Sequence, residues 1–153
     1  MTGPAAPAAR TLPGLAVRLE QLAAWYGALT PLSLSRIGEF YCRDARFKDP
    51  FNEVVGVERI ERIFTHMFDT TEQPRFVVRE TLAGTDRAFL IWDFEFGLGG
   101  RRFRVHGASH LTFDDAGRIQ EHRDYWDPAE ELWQHLPVIG PPVRWLRRRM
   151  AAR

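Results

Sequence analysis

Cysteine is almost absent from this chain of 153 residues, in which Cys42 stands alone. A lone thiol closes no disulfide within the chain and supplies no Cys-rich zinc spacing, so the fold relies on neither an oxidising compartment nor a structural zinc. An excess of one charge is also missing. Lys and Arg number 21 against 20 Asp and Glu, a formal net charge of +1, which gives no global attraction to nucleic acid. No run of roughly eighteen apolar residues occurs, and the opening MTGPAAPAAR lacks the unbroken apolar stretch of a signal peptide. No internal repeat is visible. These absences predict a cytoplasmic globular protein, and a composition 44% hydrophobic and 27% charged suits one domain with one substantial core.

What is present divides the chain into three. Residues 1–12 are Ala/Pro-rich with little to bury and are expected to be disordered. Residues 13–136 carry the patterned sequence of one domain, and 137–153 form a basic tail holding Arg144, Arg147, Arg148, Arg149 and Arg153. Within the domain, Leu15, Leu19, Leu22 and Tyr26 share one stripe of a helix predicted over about 15–28. Thr30-Pro31 restarts the helix as far as about Tyr41, since Thr caps well and Pro is tolerated at the first helical position. Residues 45–49 read as a short strand stopped by Pro50. A third helix, about 57–68, presents Ile60, Ile63, Phe64 and Met67 on one face.

After Pro74 the period changes from 3.6 to 2, with strands predicted at 76–83, 87–96, 101–113 and 118–126 and turn residues between them. Helices first and a four-stranded meander last imply an α+β fold, three N-terminal helices packed on one face of a curved, mostly antiparallel sheet. The strand 87–96 is apolar on both sides: Leu90, Trp92, Phe94 and Phe96 form one row, Phe89 and Ile91 begin the other before Asp93 and Glu95. Three helices cover only one face, so a second copy is expected on the other, giving a homodimer.

The stretch RIQEHRDYW, 118–126, is the most chemically suggestive. Strand parity sends His122, Asp124 and Trp126 to one face. A carboxylate between an imidazole and an indole is either half of an acid/base site or a satisfied polar pair. His106 and His110 fall on the face opposite Ser109, where a dimer contact suits them better than catalysis.

The segments YCRDARFKDP and FDDAGRIQEHRDYWD, in their order among helices and meander, resemble the nuclear-transport-factor-2-like superfamily. That group includes ketosteroid isomerase, limonene epoxide hydrolase and the SnoaL-like polyketide cyclases. The resemblance covers about Leu15 to Leu136 and implies a cone-shaped fold, with a strongly bent sheet around an apolar pocket and frequent dimers. It places Asp49 where ketosteroid isomerase has its general base, Trp25 with adjacent Tyr26 at its oxyanion Tyr, and Ser109 at its second acid. Limonene epoxide hydrolase is similar in having acids at Asp124 and Asp93, with Ile91 replacing its bridging Arg, Phe47 its Tyr and Asp49 its Asn.

The resemblance therefore implies four catalytic candidates, Asp49, Asp93, Asp124 and His122, converging on a pocket lined by Trp25, Tyr26, Phe47, Ile91, Ser109 and Trp126. Carboxylates gathered in an apolar cavity cannot all stay ionised, so a donor would stand beside an acceptor. In that scheme Asp124 or Asp49 is the base, Asp93 the protonated partner, and His122 orients or polarises. Double-bond isomerisation, cyclisation and water addition to a strained ring fit, on a polyketide-, terpenoid-, steroid- or lipid-like molecule. A carrier or sensor that leaves its ligand unchanged, and a dimeric interaction module, stay open beside the enzyme. No motif calls for a cofactor, and His122 with two Asp residues lacks metal-ligand spacing. The basic tail interleaves Trp145 and Leu146 with arginines, which suits an anionic membrane surface, an acidic partner or plain solvation.

Overall fold

Helix yields to sheet at Glu72, where the apolar period changes. The computed structural model describes residues 11–151, so residues 1–10 of the stretch expected to be disordered lie outside the described residues. Leu12 is held, its N–H bonded to Thr85 O at 2.8 Å. Helix α1, Leu15–Gly27, buries Leu15, Leu19, Leu22, Trp25 and Tyr26, the expected stripe with one more aromatic.

The restart at Thr30 is a cap, but not of the α-helix predicted. Ser33 N–H donates to Thr30 Oγ1 at 3.1 Å and Thr30 N–H to Ser33 Oγ at 2.9 Å. A 3₁₀ turn, Ser33–Arg36, then widens into the short α2, Ile37–Phe40. Strand β1 starts at once and runs Tyr41–Lys48, ahead of its predicted start. Strand β2, Glu53–Val55, folds back antiparallel on β1 and is too short to leave a pattern. Gly56, at φ 106, turns the chain into α3, Val57–Thr70, in a conformation natural only to glycine.

Six strands make one sheet in the order β2-β1-β6-β5-β4-β3, with β3 Glu72–Ala83, β4 Arg87–Leu98, β5 Arg101–Phe113 and β6 Ile119–Tyr125. Every neighbour pair is antiparallel except β1 with β6, a parallel seam that sets Phe47 opposite His122. Strand β3 begins before Pro74, where the sequence predicted a break. An edge strand accepts a residue with no N–H, and a register shift between Glu72 and Arg75, with Gln73 at φ 48, carries the chain past it.

The fold is α+β, as expected, with α1 against β3 and α3 against β1. Leu22, Ile60, Leu90, Leu111 and Ile119 are all but inaccessible at the centre of the core; each such burial stabilises by about 1.5–3 kcal/mol. The other sheet face leaves Leu82, Phe89 and Tyr125 exposed.

Of the stretch 137–153 read as a basic tail, residues 140–150 are helical. Helix α4, Pro128–Glu131, is capped by Asp127, which accepts from Ala129 N–H at 2.8 Å. A 3₁₀ turn at Trp133–His135 leads to α5, Gly140–Met150. Pro141 and Pro142 are tolerated because the first turn of a helix needs no N–H. No helix among the described residues is long and apolar enough to cross a membrane.

Candidate functional site

The parallel seam places His122 between aromatic rings. Phe47 meets its imidazole edge-on at 4.8 Å between centroids, and Tyr41 lies nearly parallel to it at 5.9 Å. His122 is 4% exposed, yet both its nitrogens are engaged. Nδ1 is 2.6 Å from Tyr41 Oη. Nε2 is 2.7 Å from Asp124 Oδ1 and 3.2 Å from Ser109 Oγ.

The polar contacts continue in both directions. Tyr41 Oη is hydrogen-bonded to Tyr26 Oη from α1. On the other side Ser109 donates to Asp124 Oδ1 at 2.5 Å and accepts from Trp92 Nε1–H at 2.9 Å. A buried chain therefore runs Tyr26, Tyr41, His122, Asp124, with Ser109 and Trp92 closing on the carboxylate. Asp124 Oδ2 carries no hydrogen bond from any described residue.

A Ser, a His and an Asp in contact invite comparison with a hydrolytic triad, but the connectivity differs. A triad uses the two imidazole nitrogens separately, one for the serine and one for the acid. Here Ser109 and Asp124 crowd the same Nε2, and the serine proton goes to the carboxylate.

Burial raises the pKa of both phenols, and for Tyr41 the neighbouring Tyr26 adds to the rise. Both are neutral hydroxyls at physiological pH. Nε2–H and Ser109 O–H both point at Asp124, which leaves Nδ1 to decide the direction of the rest. When the imidazole is neutral, Tyr41 donates to Nδ1 and Tyr26 to Tyr41. When it is imidazolium, Nδ1–H donates to Tyr41, Tyr41 to Tyr26, and the Tyr26 proton is released for another acceptor.

That acceptor would sit in a small cavity. Tyr26, Trp92, Ser109, His122 and Asp124 line it together with Phe64, Phe76, Val78 and Leu90. Its free volume is ≈ 20 Å³. That is room for about one water. Trp92, in edge-to-face contact with Phe76 at 5.7 Å, is one of the rings that line it. Gly107 makes this placement available, because a Cβ there would lie 2.5 Å from Trp92 Cη2.

Of the four acid/base candidates only His122 and Asp124 meet in this cavity. Asp93 and Ile91 face the other side of the sheet, because Leu90 pairs with Ser109 and β4 alternates from there. Asp93 lies 2.7 Å from both His106 Nδ1 and Arg79 Nη2. Hydrogen bonding from His106, then from Arg79, outweighs burial and holds its carboxyl below the usual range, so it is an ionised partner in a salt bridge rather than a proton donor. Asp49 follows β1 in a turn, its Oδ1 accepting from Phe51 N–H at 2.7 Å and Asn52 N–H at 2.6 Å. Two further contacts from the Asn52 amide occupy the carboxylate, away from the cavity lining.

Among the predicted lining residues, Tyr26 and Ser109 border the cavity. Trp25 stacks on Phe40 at 4.7 Å and donates to Ser33 O at 3.1 Å, so the hydroxyl of Tyr26 takes the place beside the pocket. Phe47 supports the imidazole from behind, and Trp126 packs on Phe51 at 5.4 Å. Sequence reasoning missed Tyr41 and Trp92 as polar members. Trp92 was legible, since it shares strand parity with Leu90, whereas Tyr41 sits at a helix-to-strand junction where parity has no start. Among the described residues no group of three His, Cys, Asp or Glu side chains is arranged to hold a metal ion.

Known proteins share this architecture. An epoxide hydrolase of the limonene epoxide hydrolase type from Mycobacterium tuberculosis is 17% identical, aligned over 88% of this chain and 99% of its own, at a TM-score of 0.68. A candidate SnoaL-like polyketide cyclase from Jannaschia sp. CCS1 is 16% identical over 92% and 99%, at 0.68. A hypothetical protein of ketosteroid isomerase-like fold from Catenulispora acidiphila, solved with trimethylamine, is 18% identical over 80% and 92%, at 0.63. At these identities the likeness is one of fold. No curated protein matches the chain. The SnoaL-like domain profile matches residues 22–122, from the middle of α1 to the buried histidine of β6, and the chain belongs to that family.

Proposed function

We propose that the cavity is a cofactor-independent acid/base site acting on a compact, largely apolar small molecule with one polarisable oxygen. The observation that carries this reading is the unbroken buried chain from Tyr26 through Tyr41 and His122 to Asp124. Asp124 Oδ2 takes a proton from carbon, or from a water that attacks a strained ring. Tyr26, with His122 as imidazolium behind Tyr41, gives a hydrogen bond to the substrate oxygen as charge develops there. In an isomerisation or cyclisation the proton on Asp124 returns to a different atom, and in a ring opening it passes to the oxygen released as the ring bond breaks, so the site ends as it began. The small free volume requires Phe76 or Trp92 to yield as the substrate enters.

The test is deuterium incorporation and product formation by NMR in D₂O, over a panel of unsaturated ketones and epoxides. Asp124→Asn and Tyr26→Phe are expected to lose roughly 10²–10⁴ in rate while still binding, as read by shifts at the His122 ring. Turnover unchanged in both variants would sink the mechanism.

A second reading has one observation in its favour. A cavity of ≈ 20 Å³ with an indole in its lining also suits a domain whose pocket is vestigial and whose role is association. A panel that gives neither turnover nor ring shifts supports it.

In either case we propose a homodimer through the outer sheet face. There Leu82 pairs with Phe89, and Ile91 with Ala108 next to Tyr125. Sedimentation equilibrium at micromolar concentration is expected to show a dimer that Phe89→Arg splits; a monomeric parent protein contradicts it.

A further inference from the structure

Helix α5 makes its principal contact with the 3₁₀ turn Trp133–His135. Gly140 is buried against the 3₁₀ turn, where a Cβ would lie 2.6 Å from Gln134 O. Arg144 and Arg147, one and two turns on, bond to the carbonyl and side chain of the same Gln134, and Arg147 also pairs with Glu130 at 3.2 Å. Positions 140, 144 and 147 are one helical face, and that face is committed.

A quarter turn away a second set recurs with the same spacing. Ile139, Val143, Leu146 and Met150 form a continuous apolar stripe along the helix. Ile139, Leu146 and Met150 are 42%, 52% and 79% exposed. On its free flank the guanidinium of Arg149 lies 5.8 Å from the ring centre of Trp145, which is itself exposed. The helix carries four arginines and no acid, and Arg148 and Arg149 have no acidic partner among the described residues.

An apolar stripe, an exposed indole and unneutralised guanidinium groups together need a partner that offers apolar depth and negative charge at once. Nucleic acid offers charge without that depth. The headgroup boundary of a bilayer containing anionic lipid offers both, with the stripe against the acyl region, the arginines at the phosphates and the indole at the boundary. We propose that α5 docks the domain reversibly on an anionic membrane surface, with its committed face toward the fold and its stripe toward the lipid. One short helix gives a modest affinity, which suits a protein that exchanges between surface and solution.

The experiment is co-sedimentation of the full chain with phosphatidylcholine vesicles, plain or containing about 30 mol % phosphatidylglycerol. Binding is expected only with phosphatidylglycerol present. Arg148→Glu with Arg149→Glu should weaken it by more than about 5-fold per residue, and Leu146→Ser with Met150→Ser by about 10-fold. All four side chains are exposed, so the melting temperature should not move. Absence of binding to the anionic vesicles overturns the proposal. So does an apolar pair that binds like the parent while only the charge pair fails, since the partner is then an acidic macromolecule; salt-sensitive binding of a short RNA, indifferent to Leu146→Ser, would identify that case.

Discussion

Ser109 Oγ stands 3.2 Å from His122 Nε2 but gives its proton to Asp124 Oδ1, 2.5 Å away. The hydroxyl is an internal brace for the carboxylate, not a nucleophile. A serine-directed fluorophosphonate is expected to leave the intact mass unchanged. Ser109→Ala should cost about 1–3 kcal/mol in urea unfolding, because it strips the acceptor from the buried Trp92 N–H. Adduct formation at Ser109 would contradict this.

Removing the carboxylate should cost more. Asp124→Ala strands two buried donors, His122 Nε2–H and Ser109 O–H, and a loss of about 3 kcal/mol is expected. Asp124→Asn keeps one acceptor oxygen and should lose less. Equal losses in the two variants would show that size, rather than hydrogen bonding, sets the stability here.

The buried phenols predict a weakness in alkali. Burial raises the Tyr26 and Tyr41 pKa values in the folded chain, whereas unfolded tyrosine ionises near pH 10. Above that pH the unfolded state releases protons that the folded state keeps, so stability is intact below about pH 10 and falls as pH rises, by up to ~1.4 kcal/mol per unit for each phenol. Tyr26→Phe with Tyr41→Phe should flatten that limb in urea titrations run at successive pH values.

On the acid side the sign reverses. Asp93 is held below the usual carboxylate range by His106 and then Arg79. Its contribution is present above the unfolded value, near pH 4, and is lost as pH falls through the folded one. Asp93→Asn should lower stability at neutral pH and weaken the dependence below about pH 4. An acid limb identical to that of the parent would remove Asp93 from the account.

Gly107 and Trp92 should behave as a pair. Gly107→Ala forces a Cβ to within 2.5 Å of the indole and is expected to destabilise by about 1–3 kcal/mol. Trp92→Leu makes room, so the double variant should be more stable than the sum of the two losses indicates. Strict additivity in the thermal denaturation cycle would contradict the contact.

Parity and helical period made most of this legible. The stripe of α1, the face of α3 and the strands from Arg87 onward follow from spacing alone. So does the side to which His122 and Asp124 point. What sequence could not supply was junctions and competition. Pro74 looked like a stop because an edge cannot be told from a central strand before the sheet order is known. Asp93 and Asp49 drew attention as acids in matching positions, yet local partners claimed both: His106 and Arg79 across the sheet for one, the Phe51-Asn52 turn for the other. The parity of β4 already set Asp93 opposite Trp92, and that elementary rule outweighed the resemblance.

The seam between β1 and β6 has a consequence for the order of folding. The meander from β3 to β6 is built of neighbours and can form as its turns close, but β1 has to wait for the last strand to find its parallel partner. Contacts between distant segments pay their chain entropy before they return any energy. His122 meets Phe47 and Tyr41 only across that seam, so a nascent chain can hold a nearly complete sheet, with Asp124, Ser109 and Trp92 in register, before the tyrosine half of its polar chain is joined.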